Sequence, residues 1–174
     1  MLGKIPPVTK RRKTIHRGWV EVVIAFGCNV GDCPNRIGSA IKLLSQKVLV
    51  KKVSPIVISE PYGVKNQPPF HNGVLIGFTR LTPYGLLRFL KRVEKELGRR
   101  ERCRWCEREI DLDIIYYDSL RVDFEDLKIP HPDRLNRTFV LQPLAEIEPT
   151  FVDFSAKKTA KELLLSLLNP QGSG

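Results

Sequence analysis

The chain has 174 residues, 42% hydrophobic and 28% charged, enough to bury one core and within the size of a single domain. No apolar run approaches the roughly 18 to 20 residues that span a bilayer, and the N-terminus lacks the apolar stretch of a secretory signal, which predicts a cytoplasmic protein without membrane contact. The formal charge of +10 suggests a nucleic-acid partner only until it is divided along the chain. Lys4, Lys10, Arg11, Arg12, Lys13 and Arg17 stand within residues 1–18 without a single acid, which leaves +4 for the rest. Residues 1–18, with Pro6 and Pro7 and no apolar period, are expected to form a solvated basic leader. A polyanion-binding arm and a transit peptide are the alternatives. Residues 19–174 form the expected domain.

Trp19 to Phe26 is rich in Val and Ile and stops at Gly27, which predicts a buried first strand. Pro34 to Gln46 places Ile37, Ile41 and Leu44 at helical spacing, with Pro34 in the first turn. Lys47 to Ser59 reads as a second extended run, ended by Pro61 and Gly63, with a long loop to Pro69. Phe70 to Arg80 is a third strand. Thr82 and Pro83 cap a helix in which Leu86, Leu90, Val93 and Leu97 repeat at four, three and four, and Gly98 stops it. A charged loop, Arg99 to Arg108, precedes a strand from Glu109 to Tyr117, and Asp118 and Ser119 mark a hairpin turn into a short partner strand. Thr138 to Ile147 and Ala160 to Leu168 carry helical patterns. The order of strands and helices predicts an α+β sandwich with a mostly antiparallel sheet.

Cys28, Cys33, Cys103 and Cys106 are too few for a disulfide scaffold, so four reduced, independent thiols are expected. A C-x4-C and a C-x2-C pair also have the makings of a metal centre, at a longer separation than small zinc modules use.

In Ile110-Asp111-Leu112-Asp113-Ile114, strand alternation turns three apolar residues one way and two carboxylates the other. The acids' Cα atoms then lie about 6.5 to 7 Å apart, and two anions side by side call for a cation. Magnesium suits few carboxylates completed by substrate phosphates. A solvated strand face is the plain alternative. The loop before it decides: Arg99, Arg100, Arg102, Arg104 and Arg108 fall within ten residues, and guanidinium groups match phosphate oxygens. Trp105 either stacks on a base or packs on the sheet. No G-x-x-x-x-G-K-[ST] segment is present, so side-chain arginines must hold any triphosphate.

These residues fall in four ordered motifs: GCNVG at Gly27 to Gly31, SEPYGVKNQPPFHN at Ser59 to Asn72, LGRRERCRWCEREIDLDI at Leu97 to Ile114, and the P-H-P…R-x-F-V-L-x-P-L-x-E-I pattern from Pro130 to Ile147. In this the chain resembles the 6-hydroxymethyl-7,8-dihydropterin pyrophosphokinases of folate biosynthesis, from about Val20 to Glu148. The resemblance implies a ferredoxin-like α+β sandwich and transfer of pyrophosphate from ATP to a pterin alcohol, releasing AMP. It also implies two Mg2+ ions held by Asp111 and Asp113, with Arg99 and Arg108 on the transferring phosphates. Phe70 and Phe139 would sandwich the pterin, with Asn72 and the surroundings of Ser59, Pro61 and Tyr62 along its edge. Lys91, Glu94, Arg104, Trp105, Ile114, His131 and Arg137 would surround ATP. From the residues alone, Phe70 and Phe139 are core aromatics, Lys91 and Glu94 a solvated i, i+3 pair, and His131 a structural histidine.

The chain departs from the family at Cys28 for serine, Ser59 for threonine, and Cys106-Glu107 for Gly-Pro. The last change alters the loop that delivers Arg108. Because both cysteine pairs flank the implied site, a redox-sensitive disulfide or a bound metal is a second reading of them. The loops at 63–69 and 99–108 are expected to act as lids. Nucleic-acid binding is disfavoured, since the sheet lacks the aromatic RNP pattern and its acids repel phosphates. A metal-dependent nuclease would use the same acids and metals, although the pterin-sandwich positions argue against it, and a catalytically silent relative would retain the fold. The expected unit is a monomer.

Overall fold

The computed structural model describes residues 18–61, 66–99 and 108–170. Residues 1–17 of the basic leader, Tyr62, Gly63, Arg100, Arg102, Cys103, Arg104, Trp105, Cys106 and Glu107 lie outside them, as do residues 63–65 of one expected lid and 100–107 of the other. Its main sheet contains β1 (Val20–Cys28), β2 (Val48–Val53), β3 (Val57–Ser59), β4 (Phe70–Thr79) and β5 (Asp111–Tyr117). The order is β2-β4-β1-β5, every pairing antiparallel, with β3 joined to β4 beyond the end of β2. With helices α1 (Cys33–Leu44) and α2 (Pro83–Glu96) following β1 and β4, this is the expected ferredoxin-like α+β sandwich in one domain.

Period-2 alternation in β1 divides the core. Val22, Ile24, Phe26 and Cys28 point to α1 and α2, while Val23 and Ala25 point to the opposite layer of α3 (Thr138–Ile147), which is backed by α4 (Ala160–Leu168). β1 is therefore buried on both faces and reads as an unbroken apolar run. Each such side chain contributes about 1.5 to 3 kcal/mol on burial.

Two expectations about strands are corrected. The run from Lys47 to Ser59 is two strands, because Pro55 has no N–H for a ladder and Ser54 takes over the pairing locally. Its N–H donates to the Val74 carbonyl at 2.9 Å and its Oγ accepts the Val74 N–H at 3.0 Å. The turn at Asp118 does not return a partner to β5. Instead β6 (Val122–Asp123) pairs with β7 (Lys128–Ile129) as a separate ribbon. The outer margin of β5 is already in use: at a bulge that inserts Ile115, its carbonyl accepts the His131 N–H at 2.9 Å. The thiols are corrected too, since Cys28 and Cys33 form a disulfide.

One buried carboxylate fastens the α3 layer. Asp153, in a small ribbon of β8 (Val152–Asp153) and β9 (Lys158–Thr159), is inaccessible to solvent. It accepts hydrogen bonds from Arg134 Nε at 2.6 Å, from the Tyr116 hydroxyl, and from the Ser155 and Ala156 N–H groups at 2.9 and 2.8 Å. Burial alone would raise its pKa, but the bonds from Arg134 and Tyr116 outweigh it and hold the carboxyl below its ordinary value.

The stability this supplies is therefore fully present above the unfolded-state value near ~3.9 and is lost as pH falls through the lower folded value. Arg134→Met strands a buried charge and is expected to cost about 3 to 5 kcal/mol in denaturant unfolding, with the acid limb of unfolding moved to higher pH. A loss below about 1 kcal/mol would place the pair among ordinary surface bridges.

Candidate active site

The open ends of β1, β4 and β5 enclose a cavity of about 470 Å³ between the sheet margin, α2 and the β6-β7 ribbon. Thirteen of the residues singled out in the sequence line it: Ser59, Phe70, Asn72, Lys91, Glu94, Arg99, Arg108, Asp111, Asp113, Ile114, His131, Arg137 and Phe139. Pro61 is buried and is not part of the lining. Tyr62, Arg104 and Trp105 fall outside the described residues.

The acids are placed by register. Asp111 lies opposite Gly27 and Asp113 opposite Ala25, while Leu112 and Ile114 point into the α1/α2 core. Gly27 also faces Asn72 on β4, and a Cβ at Gly27 would come within 2.7 Å of the Asn72 Oδ1. The bare Gly27 backbone is thus what lets the Asn72 amide lie against β1. Asn72 donates to the Ser59 Oγ at 3.0 Å, an arrangement suited to the donor and acceptor edge of a flat heterocycle.

Arg99 is delivered by the end of α2. Thr82 caps the helix by accepting the Gly85 N–H, Pro83 opens it, and Gly98 at φ +88 closes it. The Gly98 N–H returns to the Lys95 carbonyl and the Arg99 N–H to the Glu94 carbonyl, the paired bonds of a Schellman stop. Immediately beyond the stop, the Arg99 guanidinium meets Glu94 Oε2 at 2.8 Å and Asp111 Oδ1 at 2.9 Å. Glu94 is buried, and it accepts the Leu112 N–H at 2.7 Å. It is therefore no solvated partner of Lys91. Arg108 stands 3.7 Å from Asp111, and Arg137 stands 3.9 Å from Asp113 while its guanidinium lies over the Phe139 ring.

Burial, and next the charge of Asp111, push Asp113 up to about 7, although 36% of its side-chain surface opens to the cavity. Two hard oxygen donors, one held back from ionising by burial and by the other, form a set that a divalent cation would complete. Burial and the neighbouring Arg137 charge pull His131 down to about 4. Its Nδ1 accepts the Asp133 N–H at 3.1 Å, so the neutral ring carries its proton on Nε2.

The sequence reading missed Asn29. It is 3% exposed, its Nδ2 donates to Gln67 Oε1 at 2.8 Å and to the Pro68 carbonyl at 2.9 Å, and its Oδ1 accepts the Arg108 N–H at 2.8 Å. Its partners lie 38 to 79 positions away, beyond any local period. The stretch Glu125 to Lys128 also lines the cavity, and no motif in the sequence marks it, because only the β6-β7 ribbon turns it into the wall.

The family model for 7,8-dihydro-6-hydroxymethylpterin-pyrophosphokinase matches residues 23–149. The chain belongs to this family. A 2-amino-4-hydroxy-6-hydroxymethyldihydropteridine pyrophosphokinase of Aquifex aeolicus is 41% identical over 141 residues, spanning 81% of this chain and 88% of the relative. The Bacillus subtilis protein of the same description is 41% identical over 126 residues, with 71% and 75% covered. The folic acid synthesis protein of Dictyostelium discoideum is 38% identical over 85% of this chain, which spans only 22% of that longer protein. Among solved structures, wild-type HPPK-DHPS of Plasmodium falciparum superposes with a TM-score of 0.70 at 13% identity, over 89% of this chain and 46% of the other, a likeness of fold. Within the pyrophosphokinase family, the departures at Cys28 and Ser59 fall on described residues, and Ser59 keeps the hydroxyl that Asn72 uses.

Gly98→Ala has open space for its methyl group, so its cost is conformational. About 1 to 2 kcal/mol of stability is expected to be lost in thermal or denaturant unfolding, because the left-handed backbone is retained under protest by an L side chain. In the ligand-free protein the His131 ring signals are expected not to titrate in NMR spectra between about pH 8 and pH 5.5, and an inflection near ~6.5 would contradict the buried, neutral ring.

Proposed function

We propose that the cavity transfers the terminal pyrophosphoryl group of ATP to the hydroxymethyl oxygen of 6-hydroxymethyl-7,8-dihydropterin, releasing AMP. What carries this reading is the juxtaposition, in one cavity, of the Asp111/Asp113 pair with three arginines on one side and of Phe70, Phe139, Asn72 and Ser59 on the other. The first group is chemistry for polyphosphate, and the second is a berth for a flat polar heterocycle.

In this reading Phe70 and Phe139 hold the pterin ring between them, and Asn72, oriented by Ser59, bonds its edge, with Pro61 and Tyr62 adjoining. Arg99 and Arg108 grip the transferring phosphates and Arg137 the remainder of the chain of phosphates. Lys91, Ile114 and His131, together with Arg104 and Trp105, surround the nucleoside end. Glu94 acts by holding Arg99 and the β5 margin. His131 contributes a neutral Nε2–H donor. Asp111 and Asp113 would hold Mg2+, two ions in the full complex, which would neutralise charge on the β- and γ-phosphate oxygens. The residues' own work is positioning: they bring the hydroxymethyl oxygen in line with the β-phosphorus and keep guanidinium groups where negative charge builds. No helix among the described residues is long and apolar enough to cross a membrane.

The decisive experiment supplies Mg-ATP with and without the pterin alcohol and follows AMP. AMP is expected only when the pterin and a divalent cation are both present. Asp113→Asn is expected to lower kcat at least about 100-fold while leaving pterin binding nearly intact, since it removes charge neutralisation and not the aromatic berth. AMP release that ignores the pterin would remove the assignment.

A further inference from the structure

Cys28 is the last residue of β1 and Cys33 the first of α1. Their disulfide, with Cα atoms 5.6 Å apart, closes a small ring over Asn29, Val30, Gly31 and Asp32. Gly31 within it adopts φ +75, and the Val30 carbonyl is held by the Arg36 guanidinium at 2.6 Å. Both cysteines are almost wholly buried, at 0% and 2% exposure. Exchange with a reductant therefore requires the segment to open, and the bond is placed to hold a shape.

The shape it holds is that of Asn29. Besides its three side-chain bonds, the Asn29 N–H donates to the Arg108 carbonyl at 3.0 Å. Arg108 is thus gripped through both its N–H and its carbonyl, two residues after the departure at Cys106 and three before Asp111. On its other flank Asn29 grips Gln67 and Pro68, which lead directly to Phe70 and Asn72. One residue inside the ring is the meeting point of the phosphate side and the heterocycle side of the cavity.

We propose that the Cys28–Cys33 disulfide is a positioning element of the active site, which fixes Asn29 so that both flanking segments are held in register with each other. The consequence for catalysis rests on the pyrophosphoryl-transfer reading given above, whereas the mechanical coupling does not. A ring this short changes the unfolded chain only modestly, so its effect is local. Reduction consumes a dithiol: two electrons and two protons pass to the sulfurs, leaving Cys28 and Cys33 as thiols and the reductant as its own disulfide. The freed Cys28 then has a competing partner. His71 is its direct cross-strand neighbour, with Cβ atoms about 4.5 to 5.5 Å apart in such a pair, and the buried His71 Nδ1 has no hydrogen-bond partner among the described residues. A Cys28 thiol that turns to His71 leaves the geometry the ring imposed.

The test uses the full chain with Cys103→Ser and Cys106→Ser, so that only one pair responds. Alkylation and peptide mass analysis report whether Cys28 and Cys33 are joined. Amide hydrogen exchange is followed before and after dithiothreitol, and in a Cys28→Ser/Cys33→Ser variant that opens the ring without any reductant. We expect the Arg108 amide to exchange about tenfold faster with the ring open, with the central β1 and β4 amides unchanged, and kcat/KM to fall about tenfold or more for both substrates. Reoxidation is expected to restore both readouts in the protein that keeps Cys28 and Cys33. Free thiols in the unreduced protein, or an Arg108 amide indifferent to the ring, would overturn the proposal. If Arg108 responds but neither form makes AMP, the coupling stands and the reaction assignment falls.

Discussion

The carboxylate of Glu94 accepts the Leu112 N–H at 2.7 Å and faces Arg99 at 2.8 Å, and on this contact depends how α2 sits against the outer margin of β5. β5 is an edge strand, so its outward N–H groups have no ladder partner. Burial raises the pKa of Glu94, while the Leu112 N–H and then Arg99 pull it down. The arginine and the backbone donor are what make a carboxylate tolerable at that depth. In exchange the acid orients Arg99 toward Asp111. Helix stop, edge strand and guanidinium thus meet at one carboxylate.

The same economy runs through the cavity. Arg99 and Arg108 stand beside Asp111, and Arg137 beside Asp113, so the ligand-free site balances its own charges. A polyphosphate accompanied by cations offers each group a stronger partner of opposite sign. On the proposed function the acids would turn to the cations and the guanidinium groups to phosphate. Preorganisation of this kind costs stability in the empty state, which the raised pKa of Asp113 registers.

Much of this was legible in the sequence because it is periodic or local. The alternation of Ile110-Asp111-Leu112-Asp113-Ile114 set both acids on one face, and Thr82-Pro83 with Gly98 set the limits of α2 to within a residue or two. The helices Thr138–Ile147 and Ala160–Leu168 were read at their observed bounds for the same reason. What escaped depends on contacts between distant segments. Asn29 is an unremarkable loop residue until its partners arrive from positions 67, 68 and 108. The β6-β7 ribbon was mistaken for a partner of β5 because no local pattern tells that an edge is already taken. The Cys28–Cys33 bond was discounted from the count of cysteines, and only the turn between strand and helix brings the two sulfurs together.

The bulge at Ile115 has a meaning beyond irregularity. Ile114 points to the α1/α2 core, Ile115 and Tyr116 both point to the α3 layer, and Tyr117 returns to the first core. Remove Ile115 in thought and the alternation from Asp111 to Tyr117 becomes perfect, with both acids and Tyr116 still on their proper side. The extra residue therefore does nothing for the phase of the strand. It supplies a mooring: an outward carbonyl, in a stretch where strict alternation would have aimed it at β1, to which the His131 N–H is tied. A shortened β5 would give up the tie to His131 at one wall of the cavity together with a fully buried side chain of the α3 layer, so the extra residue at this one position serves the site and the core at once.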